Sequence, residues 1–199
     1  MRRAFEYLSK EADKVQERGG RVKEGTNTAR AVGVLLDMRV SFEMLLKQKA
    51  ALSTLALLLQ PGVTDELQTS VVRLFASAAE HGPAATEKAG ERDRLHSKAD
   101  AELQNFLGVS CKAIANVITI AENASGSGLQ VDAFTLVVEL IRDNEATQAE
   151  AVRCNLVALL DRKMAAGEDP VGQIAAAGCA SLIVTEQGLG LMVRCCSLL

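Results

Sequence analysis

The sequence predicts an all-α fold, and three observations carry that expectation. Apolar residues recur at three- and four-residue intervals through most of the 199-residue chain, and apolar–polar alternation never lasts for the length of a strand. Aromatic residues make up only 3% of the chain, with no Trp and a single Tyr at Tyr7. The core must therefore be assembled from Leu, Val, Ile, Ala and Met, a palette that suits close-packed helices better than a sheet. Gly or Pro marks the ends of the main periodic stretches, at Gly19-Gly20, Pro61-Gly62 and Gly82-Pro83.

The elements follow in order. Phe5, Leu8, Ala12 and Val15 share one helical face, and Gly19-Gly20 ends that helix ahead of a polar linker. From Thr28 the helical pattern resumes through Val32, Leu35, Leu36, Phe42, Leu45, Leu46, Leu52 and Leu55, as one long helix or two with a kink. Pro61-Gly62 stops it, and Thr64 or Asp65 can cap the next helix, which buries Leu67, Val71, Leu74, Phe75 and Ala78. Residues 87–102 are densely charged with both signs. Leu95, Ala99, Leu103 and Phe106 still keep a narrow apolar stripe there, so the stretch reads as an exposed helix or a disordered insertion. Further helices are expected through Cys111, Ile114, Val117, Ile118 and Ala121, then over about 129–142, 146–163 and 171–184, with a last one beginning near Leu189. The domain reading is an N-terminal amphipathic helix and linker at 1–27. A helical domain follows at 28–199, with the charged helix or insertion at 83–103.

Composition narrows the function classes. Hydrophobic residues make up 48% and charged residues 24%, enough for a packed core under a solvated surface and too apolar for wholesale disorder. The net charge is −3 and the pI about 5.5, which leaves no basic excess to neutralise nucleic-acid phosphates. No Lys/Arg cluster suits an anionic membrane surface. The longest apolar run lies around Leu55–Leu59, whereas a spanning helix needs roughly 20 such residues. The start, MRRAFEYLSKEADK, has no apolar signal core and carries Glu6 and Glu11, so it reads as mature protein. Five cysteines, Cys111, Cys154, Cys179, Cys195 and Cys196, are odd in number and match no disulfide or zinc spacing. The expectation is reduced thiols and a cytoplasmic location.

The residues argue against an enzyme. Only His81 and His96 offer an imidazole base, and neither stands near a nucleophile elbow or a zinc-binding His-Glu spacing. Asp65 and Glu66 sit where helix caps belong. Gly188-Leu189-Gly190-Leu191 lacks the lysine and preceding strand of a phosphate-binding loop. No cofactor and no metal are expected. The last four residues, Cys196-Ser197-Leu198-Leu199, match a prenylation signal loosely, with Cys195 as a second acyl site. The competing reading makes Leu191, Met192, Cys195 and Leu198 a core face of a final helix. Membrane contact is expected only if the lipid is attached.

A repeat signal is the sharpest feature. Three segments share a helix followed by Gly, ending at Gly82, Gly126 and Gly167, which lie 44 and 41 residues apart. LALLLQPGVTDELQTSVVRL (55–74) also matches VVELIRDNEATQAEAVRCNL (137–156) at an offset of 82, two periods of about 41. On these residues the chain resembles the armadillo family. TLVVELIRDNEATQAEAVRCNLVALL (135–160) is similar to that family's second and third helices. CKAIANVITIAE (111–122) is similar to a third helix, and QIAAAGCASLIV (173–184) to the turn into the next repeat, with Gly178 at the usual glycine. The resemblance covers about 52–199 and implies a right-handed stack in which third helices line a concave surface.

On each expected third helix some polar residues point away from the core. They are Thr69, Arg73 and Glu80; then Lys112, Asn116, Thr119 and Asn123; then Glu150, Cys154 and Asp161. These form the expected binding strip for a protein or peptide partner. In family members that read nuclear-localisation peptides, Trp precedes Asn by four residues. Here Lys112 precedes Asn116 and Ala151 precedes Asn155, so the lysine-stacking slots of an import receptor are missing. The expected function is a non-enzymatic interaction module: a scaffold, adaptor or subunit of a larger complex. The alternative is a structural helical bundle in a cytoskeletal or membrane-associated assembly.

Overall fold

The computed structural model describes residues 1–18, 25–80, 101–124 and 127–165. Among these residues there are ten helices and no strand, so the chain is all-α over its described length. The helices are α1 (Arg2–Arg18), α2 (Thr26–Asp37), α3 (Phe42–Leu46), α4 (Lys49–Leu57), α5 (Asp65–Glu80), α6 (Ala101–Ser110), α7 (Ala113–Asn123), α8 (Ser127–Ile141), α9 (Glu145–Arg153) and α10 (Leu156–Ala165). The expected helices at 171–184 and beyond Leu189, residues 83–100 of the charged stretch, and the Cys195–Cys196 lipidation site lie outside the described residues.

Helix ends explain where the sequence reading and the structure part. The periodic run from Thr28 to Gln60 is three helices rather than one or two. Arg39 adopts the left-handed region at φ 47, which turns the chain after α2. Ser41 then caps α3 by accepting the Met44 N–H at 3.4 Å, and a second break at Gln48 separates α3 from α4. The helix expected over 146–163 is likewise divided. Asn155 sits at φ 63, and α9 and α10 meet there. Side chains at three- and four-residue spacing look the same whether or not one peptide between them turns left-handed, so the apolar pattern does not report these breaks. Asn at Asn155 was the local clue, because Asn tolerates that region better than most residues.

The chain bends sharply between α6 and α7, whose axes differ by 72°. The last six residues of α6, Asn105–Ser110, are wound as a π-helix, and Lys112 at φ 56 precedes α7 without a side-chain cap. The helix expected from Cys111 therefore starts at Ala113. A β-carbon in the left-handed region costs roughly 1–2 kcal/mol, and Gly escapes that cost while losing more backbone entropy on folding. Lys112→Gly is accordingly expected to stabilise the fold by up to about 1 kcal/mol. A higher urea midpoint at unchanged slope would show it, and a lower midpoint would contradict it.

Packing follows from the apolar faces. Helix α5 lies between α2 and α8, α1 packs on α4 and α2, and α7 packs along α8. Helix α9 contacts α6, α8 and α10. One continuous core results, with Phe5 and Leu8 from α1, Leu52 and Leu55 from α4, Leu74 and Phe75 from α5, and Phe134 from α8 all buried. The Thr54 hydroxyl donates to the Leu8 carbonyl at 2.8 Å, fastening α1 to α4. Each fully buried Leu or Phe contributes about 1.5–3 kcal/mol, so these side chains, not the exposed ion pairs, hold the stack.

Three glutamines repeat one device. Gln68, Gln130 and Gln148 each occupy the fourth position of their helix, α5, α8 and α9. Each side-chain amide donates to a carbonyl in the last turn of the preceding helix or in the turn just after it: Gln68 to Gln60 (3.0 Å), Gln130 to Ala121 (2.8 Å) and Gln148 to Ile141 (3.0 Å). Each bond ties the first turn of one helix to the end of, or the turn after, the helix before it, and so braces a helix–turn–helix corner.

Candidate functional site

Two clefts flank α7 on its outer side. The larger, about 630 Å3, runs between α7 and α10 and is lined by Ala115, Ile118, Thr119, Glu122, Cys154, Asn155, Ala158, Leu159 and Arg162. The smaller, about 190 Å3, lies where the Pro61–Gly62 turn and the start of α5 approach the end of α7; Asp65, Gln68, Thr119 and Asn123 are in its wall. Thr119 belongs to both. Helical spacing puts Asn116, Thr119 and Asn123 on one face of α7, with Lys112 in the turn before it, so that face forms the ridge between the clefts.

The expected strip is therefore divided. Thr119, Asn123 and Cys154 line the clefts, Asn116 is half-buried on the same α7 face, and Lys112 is exposed in the turn before α7. Thr69 and Arg73 line neither cleft. Arg73 crosses to α8 instead, its Nε donating to Asp132 Oδ2 at 2.7 Å, and the Thr69 hydroxyl donates back to the Asp65 carbonyl. Glu150 is on α9, turned to Arg153, with which it forms an ion pair; Cys154 caps α9 and Asp161 is on α10. Glu80 is the last residue of α5.

Three polar residues of the larger cleft were not in the expected strip: Glu122, Asn155 and Arg162. Arg162 donates to Glu122 at 2.5 Å across the mouth of the cleft. Both side chains are about half exposed, so the pair is worth at most about 1 kcal/mol. Their separation of 40 residues, close to the repeat period, was the available signal.

The larger cleft presents more polar than apolar surface. Burial, above all, pushes the Cys154 thiol up; the Glu150 charge and the thiol's hydrogen bond to that carboxylate at 3.6 Å act the same way, against a smaller opposing effect of Arg153. Burial also raises Cys111, partly offset by a hydrogen bond from Ser53. A raised thiol holds little thiolate at neutral pH, which makes it a poor nucleophile. Glu150→Gln removes the negative charge and lowers the Cys154 pKa. Alkylation of Cys154 near pH 8, followed by peptide mass, is expected to speed up by roughly two- to fivefold; an unchanged rate would remove Glu150 as a cause. Among the described residues, no group of three or more His, Cys, Asp and Glu could hold a metal ion. Among them, too, no single helix is long and apolar enough to cross a membrane.

No family model and no curated protein matches this chain. A crystal structure of an engineered protein is similar at 13% identity, with 96% of this chain and 85% of that chain covered and a TM-score of 0.48.

Proposed function

We propose that the chain is an armadillo-like helical-repeat interaction module, without catalytic activity, that holds a peptide segment of a protein partner across α7. The observation that carries the binding face is the place of Thr119 in the walls of both clefts, which joins them into one track from the start of α5 to α10. The track offers hydroxyl and amide groups from Thr119, Asn123 and Asn155, with a charged pair at its mouth. Such a lining suits polar recognition of a peptide more than an apolar ligand.

The repeat reading rests on recurring separations. Glu122–Arg162 and Gln104–Asn144 are both joined by side-chain hydrogen bonds at a separation of 40. Short helices α6 and α9 each precede a sharp break and a second helix, at Lys112 and Asn155. On this division α7 and α10 are equivalent helices of successive units, and the large cleft is the seam between them. The low thiolate character of Cys111 and Cys154 supports a binding role over a cysteine enzyme.

A photo-crosslinking residue placed at Thr119 or Asn155, with Thr135 on the exposed face of α8 as control, tests the face. Adducts with a common protein partner are expected from 119 and 155 and not from 135. Thr119→Arg should lower recovery of that partner by about tenfold or more, since a long charged side chain fills the shared wall. Adducts from 135 alone would overturn the proposal.

A further inference from the structure

We draw no further inference here: the strongest candidate, the groove between α1 and α3 walled by Met1, Phe5, Lys10, Met44 and Lys47, is an unpartnered face, and nothing in the structure shows what covers it.

Discussion

Replacing Asn144 by Ala is expected to lower the unfolding free energy by about 3 kcal/mol, far more than the size of the change suggests. Asn144 is 8% exposed and stands at the corner where α8 gives way to α9. Its side-chain oxygen accepts the Thr147 N–H at 3.3 Å, capping α9. Loss of such a cap costs about 1 kcal/mol. Its amide nitrogen donates to Gln104 Oε1 at 3.0 Å and to Asn105 Oδ1 at 3.3 Å. Gln104 is itself buried, and its own amide is committed to the carbonyls of Glu139 and Arg142 at 2.8 and 3.0 Å. Truncating Asn144 strands the Gln104 oxygen in a site that water does not fill cheaply, at roughly 1–3 kcal/mol. Asn144→Asp separates the two contributions. It keeps the acceptor that caps α9 and turns the donor into a carboxylate facing two amide oxygens. Urea unfolding at constant slope reads both variants. An Ala variant within about 0.5 kcal/mol of the parent would mean that the network contributes little.

The α helices themselves were legible because burial of an apolar face imposes a period on the sequence, and Leu67, Val71, Leu74, Phe75 and Ala78 of α5 are all buried. What the pattern could not carry was the joints. Arg39, Lys112, Asp143 and Asn155 all take the left-handed region at helix junctions, and only Asp143 and Asn155 are of a type that advertises it. Each unseen joint re-aims the helix after it. That is why a strip drawn over three expected helices became two groups, with Arg73 directed to Asp132 and Thr119 directed to the clefts beside α7. The same joints hid Glu122, Asn155 and Arg162. Their proximity depends on how α7 and α10 are set against each other, which is a property of the corner holding α6 and α9 and not of either helix alone.

Gly108 is where that corner is most tightly closed, and enlarging it is the second change expected to have a large effect. A β-carbon at Gly108 would stand 2.8 Å from Ile114 Cδ1 and 3.1 Å from Thr147 Cγ2, both inside contact distance. Ile114 belongs to α7, Thr147 to α9, and both are fully buried, so neither has open space to move into. Gly108→Ala asks for a small shift of one methyl end and should cost about 1 kcal/mol. Gly108→Leu has to part α6 from both neighbours and should cost about 3 kcal/mol or more, at the upper end for overpacked cores. The shift is not confined to stability. Moving the first turn of α7 changes its setting against α10, and with it the cleft that Thr119 and Cys154 share. Gly108→Ala, expected to stay folded, should therefore weaken partner capture through position 119 while capture controls on α8 stay unchanged. A Leu variant as stable as the parent would show that the corner is looser than its contacts imply. An Ala variant that is destabilised as expected yet captures as well as the parent would separate the corner from the proposed binding face.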